Sequence, residues 1–414
     1  MDYAQSRRDS WELMLLRAAE KISLSEPQYE VIDGRYQQLE SILQAARDPF
    51  LQNAHIFVQG SMRLRTTIKP VADAPKDLDT IDADAIVWLP NAAGADARTV
   101  LSVIKDRFSE GSRVEAEIVE LRRGVRIVYA DENPGFHIDV TPARSISGNL
   151  LDRGGGKLEV PDREMGWKAS SPIPYCDWLD SASKLTLSFE DAHIFDRALA
   201  EASMEPLPAY HQYSEHDPLR ALIKLLKRHR DEWAIRSDFP EYRPISAVIT
   251  TLATKSYLEV VAASQHRSLQ PLEAMLMILS GMPAYVTGSP GSYGVHNPKD
   301  LGENFAEKWN RPDGSKYRDA FLRWHSEAYV AMHLGLKEHS SNESFNRDFQ
   351  REFGVGPSFV TEVNREIPHT WNLAGRPLKT TKNEIALGAL SGHHASGSEP
   401  QSQTKPVGRL GYDR

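Results

Sequence analysis

The chain has 414 residues, 40% hydrophobic and 26% charged, with a formal net charge of -8 and one cysteine, Cys176. That length supports a large core and two domains. The negative balance excludes a protein that coats nucleic acid non-specifically, although it permits a local basic cradle for nucleotides. A lone cysteine excludes an internal disulfide framework and a Cys-based zinc site, and fits a reducing cytoplasm.

No apolar run approaches the roughly 20 residues needed to cross a bilayer. The opening "MDYAQSRRDSWELMLL" has no uninterrupted apolar stretch after a basic start, so no signal peptide is expected.

Residues 10–23 and 27–46 read as amphipathic helices. In the second, Tyr29, Ile32, Tyr36, Leu39, Ile42 and Leu43 recur at three- and four-residue steps. "HIFVQG" (55–60) is a strand that runs into Gly60–Ser61, with Arg63 and Arg65 just beyond. "DADAIVWLP" (82–90) is a second strand, stopped by Pro90 and Asn91. Residues 97–108 read as a helix. "GVRIVYA" and "FHIDVTP" are apolar runs joined by "DENPG", the composition of a hairpin loop. From about residue 185 the pattern becomes helical: "DPLRALIKLLKRHRDEWA", "ISAVITTLATKSYLEVVAAS", "GENFAEKW" and "KYRDAFLRWHSEAYVAMHLGL". From about 376 the chain is Gly-, Ser-, His-, Gln- and Pro-rich and is expected to be a flexible tail. An α/β front half and an all-helical back half follow from this order.

Three sets of residues carry chemistry. Asp82 and Asp84 lie two apart at the mouth of a strand and so share a face. Two like charges there repel unless a cation lies between them, and Mg²⁺ favours such hard oxygen ligands beside substrate phosphates. A solvated strand-end pair is the plainer reading of those two residues alone. Asp139 sits inside an apolar strand, where it needs a hydrogen-bond donor, an arginine or a metal as partner. A third carboxylate on a neighbouring strand would complete a two-metal site. At Gly60–Ser61 the missing side chain lets backbone amides approach an anion, Ser61 adds a hydroxyl, and Arg63 and Arg65 add charge. A plain strand-to-loop turn is the alternative.

The order is strand with Gly–Ser, strand with Asp-x-Asp about 20 residues on, then strand with Asp about 55 residues later. This is how polymerase-β-like nucleotidyltransferases are written. "KDLDTIDADAIVWL" holds two Asp-x-Asp pairs, and Asp82/Asp84 is preferred to Asp77/Asp79 because only it opens directly into the apolar run.

In the helical half, Arg220, Lys224 and Lys227 stand at i, i+4 and i+7, one basic stripe able to bind a triphosphate if it faces the carboxylates. A solvated basic face is the alternative. Ser246 opens the next helix, either as an N-cap or as a phosphate or base contact. His137 reads as structural, on the ground that it points to the face opposite Asp139. Trp309 and Trp324 read as packing residues, and Cys176 has no catalytic frame.

"QGSMRLRTTIKP", "DADAIVWLP", "FHIDVTPA", "PLRALIKLLKRHRD", "ISAVITTLA" and "NPKDLGENFAEKW", in that order across roughly residues 50–330, resemble the bacterial cGAS/DncV-like nucleotidyltransferases, the second-messenger synthases of CBASS anti-phage defence. The resemblance implies an α+β fold: a polymerase-β-like nucleotidyltransferase core with a mixed sheet, and an all-helical C-terminal domain like that of oligoadenylate synthetases. The expected division is 1–205 for the core with the N-terminal helices, 206–375 for the helical nucleotide-binding domain, and 376–414 for the tail.

It further implies joining of ATP and other NTPs into a cyclic di- or trinucleotide with release of pyrophosphate. Two Mg²⁺ ions, or Mn²⁺, would be held by Asp82, Asp84 and Asp139. Gly60, Ser61, Lys227 and Ser246 match the family's phosphate contacts, and the basic residues Arg63 and Lys224 read beside them are expected to bind nucleotide too. Expected partners are NTP substrates and regulatory or conjugating proteins of a CBASS operon, with no membrane and no stable nucleic-acid partner. A linear oligo- or polynucleotidyltransferase and a non-catalytic nucleotide sensor or scaffold are the rival readings.

Overall fold

A capping box starts the helix that backs the sheet. The Ser25 hydroxyl accepts from the Gln28 amide, and the Gln28 side chain accepts from the Ser25 amide. This helix is α2 (Glu26–Gln44), preceded by α1 (Tyr3–Lys21). The computed structural model describes residues 3–71, 74, 78–110, 117–129, 135–146, 153–185, 187 and 217–377.

The strands are β1 (His55–Gln59), β2 (Ile81–Trp88), β3 (Glu117–Glu120), β4 (Val125–Tyr129), β5 (Phe136–Ser145), β6 (Leu158–Asp162) and β7 (Gly166–Ser170). They form one mixed sheet in the order β1-β2-β5-β4-β3, with β6 pairing β5 and β7. β2 and β5 run parallel, while β1 and β4 flank them antiparallel. Ile81, Ala83, Ala85 and Val87 alternate inward along β2 and meet Val125, Ile127, Ile138 and Val140. On that side lie α2, through Ile32, Tyr36, Leu39 and Leu43, and α4 (Ala97–Ser109). Tyr29, expected on the buried face of α2, lies in that helix's first turn and is 54% exposed.

α3 (Gly60–Leu64) is a single short turn off the end of β1, and α5 (Pro172–Ser183) follows β7. The helical half holds α6 (Pro218–Arg236), α7 (Ser246–Ser264), α8 (Pro271–Gly281), α9 (Ser315–Met332), α10 (Asn342–Phe353) and α11 (Phe359–Glu366). A two-stranded ribbon, β8 (His296–Asn297) with β9 (Asp300–Asn304), separates α8 from α9.

The stretch 302–309 was expected to be helical, but it is the end of β9 followed by a 3₁₀ turn at Glu307–Asn310. Asn304 is the cause: its side-chain oxygen accepts from the amides of Val295 and Ala306, which diverts the backbone from a helix.

α1 starts at Tyr3, earlier than its apolar periodicity suggests, and joins the helical half's core. Trp11 packs edge-on to Phe349 at 5.5 Å and donates its indole N–H to the Met332 carbonyl at 2.8 Å. Trp309 and Trp324 are core residues there too. Met1–Arg376 form one compact unit. The boundary at 205/206 and the tail beyond Pro377 lie outside the described residues. No described helix is long and apolar enough to cross a membrane.

Candidate active site

Strand register builds the acidic cluster. In the parallel β2–β5 pair, Asp82 lies opposite His137 and Asp84 opposite Asp139. Antiparallel β4 sets Arg126 opposite Asp139, and β1 sets Gln59 opposite Asp84. Ligand atoms of Asp82, His137 and Asp139 all lie within 4.8 Å of one another. His137 and Asp139 are two residues apart, so they share a face. The expectation that they point to opposite faces is therefore corrected. His137 is buried, its Nε2 2.9 Å from Asp82 Oδ1 and its Nδ1 3.0 Å from Thr80 Oγ1.

Asp84 stands outside that triad, turned to the Gly–Ser turn. A β-carbon built at Gly60 would come 2.0 Å from Asp84 Oδ2, and Gly60 has φ +60°. Only glycine fits there, for both reasons. The Asp84 backbone carbonyl accepts from the Tyr36 hydroxyl. Burial, then the charges of Asp82 and Asp139, push the Asp84 carboxyl well above the usual range. Asp82 moves the other way: desolvation raises its carboxyl, but the His137 hydrogen bond, with Arg126 and Lys227, holds it below the ordinary value.

Asp139 meets an arginine. Arg126 Nε donates to Asp139 Oδ1 at 2.7 Å and Nη2 to Oδ2 at 2.8 Å. Of the three partners open to a strand aspartate, this structure supplies the arginine.

A cavity of about 560 Å³ opens in front of the cluster. It is lined by Gly60, Ser61, Thr66, Thr67, Asp82 and Asp84 from the sheet side, and by Lys227, Arg230, Ser246 and Lys308 from the helical side. Ser61 Oγ accepts from Thr67 Oγ1 at 3.0 Å.

The basic stripe of α6 divides. Lys227 reaches the cavity and donates to the Thr66 carbonyl at 2.9 Å. Burial, then nearby Arg230, lower its ammonium to about 8. Lys224 is not a lining residue, since it donates to Ser23 Oγ at 2.9 Å. Arg220 donates to the Leu64 carbonyl at 2.8 Å and pairs with Asp217 and Asp180. Arg228, from the same helix, donates to the Lys69 carbonyl at 2.8 Å. Arg220, Lys227 and Arg228 therefore clamp the carbonyls of Leu64, Thr66 and Lys69, in the segment that leads from the Gly–Ser turn, and of these three Lys227 also lines the cavity.

Arg63 is likewise outside the lining. It pairs with Asp177 of α5 at 3.3 Å, because the turn of α3 carries it away from the cleft. Ser246 makes no cap bond; its hydroxyl accepts from Arg230 Nη1 at 3.0 Å at the cavity wall. Asp77 lies outside the described residues, and Asp79 precedes β2 without entering the lining.

Sequence reasoning missed Arg126, His137 and Arg230. The two-residue period of β4 and β5 was the available signal for the first two. Arg230, three beyond Lys227 on α6, continues the basic stripe.

The donor set of carboxylate oxygens and one imidazole, converging within one ion's reach, fits a divalent cation.

A mixed sheet carrying facing strand carboxylates beside a Gly–Ser turn, with helices closing the cavity, is the architecture of the polymerase-β-like nucleotidyltransferase fold. Residues 14–182 match the model of the Second Messenger Oligonucleotide or Dinucleotide Synthetase domain. A c-di-GMP synthase of Roseivirga ehrenbergii is 24% identical over 317 residues, covering 74% of this chain and 76% of that protein. The Bradyrhizobium diazoefficiens CD-NTase CdnG, solved with GTP, shares the fold with a TM-score of 0.62 at 16% identity, over 85% of this chain and 97% of that one. Escherichia coli DncV in a 3'-deoxy GTP bound form gives 0.48 at 15% identity, over 86% and 90%, a weaker likeness on which nothing rests. Residues 14–182 are thus similar to second-messenger synthetase domains, and the chain shares its fold with a solved CD-NTase.

Proposed function

We propose that the protein is a cyclic oligonucleotide synthase, joining ATP and other NTPs into a cyclic di- or trinucleotide with release of pyrophosphate. The observation that carries this reading is the meeting of Asp82 and Asp139 within one ion's reach, with Asp84 against the Gly60–Ser61 turn and both Asp82 and Asp84 lining one cavity. The likeness of residues 14–182 to second-messenger synthetases and the related c-di-GMP synthase support it.

Asp82, Asp84 and Asp139 would hold two divalent cations, Mg²⁺ or Mn²⁺, with His137 orienting Asp82. When bound, the cations supply charge neutralisation at the transferring phosphate and an acidified ribose hydroxyl. The chain's own residues do the positioning. The Gly60–Ser61 turn receives the donor phosphates, its amides and hydroxyl presenting donors to them. Lys227 adds positive charge opposite the acids, and its bond to Thr66 keeps the following segment in place. Arg230 and Ser246, linked to each other, form the far wall against which a nucleotide would lie.

A CBASS role, in a reducing cytoplasm and under regulation or conjugation by operon partners, agrees with this chemistry and with the single cysteine. The test is mass spectrometry of products made from all four NTPs with Mg²⁺, before and after phosphatase. Phosphatase-resistant cyclic products are expected, since a ring has no terminal phosphate to lose. Phosphatase-sensitive chains would replace this reading with a linear transferase, and binding without turnover would replace it with a nucleotide sensor.

A further inference from the structure

Both carboxylates of the converging set, Asp82 and Asp139, already have internal partners. His137 bonds Asp82, as an oriented imidazole beside a metal ligand would. Arg126 is different in kind. Its guanidinium takes both carboxylate oxygens of Asp139, at 2.7 and 2.8 Å. A planar fork on a planar carboxylate is the strongest geometry such a pair can adopt.

The pairing is fixed by the fold, because Arg126 and Asp139 are direct cross-strand partners in β4 and β5. The Arg126 side chain is 32% exposed and that of Asp139 18%, so a swing of the guanidinium towards solvent is open to it. A cation seated between Asp82 and Asp139 would meet a fixed positive charge on one of its ligands.

We infer that Arg126 is a positioning residue that occupies Asp139 as a built-in counter-ion, and that a divalent cation must displace this fork to complete the site. The inference rests on the proposed cation-dependent reading of the same acids. It makes Arg126 a residue that tunes cation affinity, since an incoming ion must both break the fork and tolerate the nearby guanidinium. Removing that charge relieves a repulsion across a few ångströms of partly solvated protein, enough for a change in affinity on the order of tenfold.

The experiment measures Mn²⁺ binding to the full chain, without nucleotide, by electron paramagnetic resonance of the free ion. Arg126→Gln should bind Mn²⁺ about tenfold more tightly than wild type. Arg126→Lys, which keeps the charge but not the fork, should fall between the two, and it carries the comparison if the glutamine variant does not fold. In an Asp139→Asn background the same Arg126 substitutions should have a smaller effect, because the fork is already lost and only the repulsion between guanidinium and ion remains to be relieved. Unchanged Mn²⁺ binding in folded Arg126 variants would overturn the inference by showing that the fork does not compete with the ion, and weaker binding would overturn it by showing that Arg126 prepares Asp139 for the ion. Absence of Mn²⁺ binding in wild type itself would instead remove the cation-dependent reading on which the inference rests.

Discussion

Gly60 shows how one residue type decides a site. Its φ of +60° and the 2.0 Å approach of Asp84 Oδ2 to a built β-carbon leave no room for any side chain. Gly60→Ala would incur about 1 kcal/mol of backbone strain and would drive either the turn or Asp84 from its place. A displacement of this size in a positioning site costs on the order of 100-fold in turnover. The expected result is that loss with only a modest fall in melting temperature; near-normal NTP turnover would show that the close approach has no role.

The glycine, its serine and the three aspartates were legible as residues because bare turns and charged strands violate ordinary packing preferences. Arg126 was not, since an arginine in a β-run is unremarkable until register sets it against Asp139. His137 was misassigned by one strand position, the period-two error that flips a side chain to the other face.

Helix α6 was legible as an element, but the role of its basic face was not. A helix so rich in Lys and Arg reads as a solvated or ligand-binding surface, whereas Arg220, Lys227 and Arg228 are buried and serve backbone carbonyls. Periodicity gives a face and cannot say which neighbour meets it.

The same helix makes a second contact of this kind with α10. Glu352 lies beside His229 at 3.2 Å and Arg236 at 3.0 Å, and accepts from Arg351 Nε at 2.8 Å. Burial raises this carboxyl, but His229, Arg236 and Arg351 outweigh it and hold it at about 2. A folded value below the unfolded one contributes stability above the unfolded carboxylate range, near 4.5, which is lost as pH falls through about 2. Glu352→Gln should therefore cost on the order of 2 kcal/mol at neutral pH, with its difference from wild type closing between about pH 4.5 and 2. Denaturant titrations over that range check it, and a gap independent of pH would exclude a charge origin.

At the scale of the whole molecule, the front strands and the long back helices could be read from period two and period 3.6. Packing of α1 into the helical half could not, because an amphipathic helix does not encode which core receives it. Trp11 against Phe349 is a contact between residues more than 300 positions apart. The helical side, through Lys227, Arg230, Ser246 and Lys308, and the strand acids meet across one cavity. That meeting is what makes the acids a site.

The direct measurement is pyrophosphate release from NTPs by the Asp82→Ala, Asp84→Ala double variant, with its melting curve recorded alongside. Release should drop to background while the melting temperature stays within a few degrees of wild type or rises, since two repelling carboxylates are gone. Continued release at the wild-type rate from a folded double variant would contradict the account.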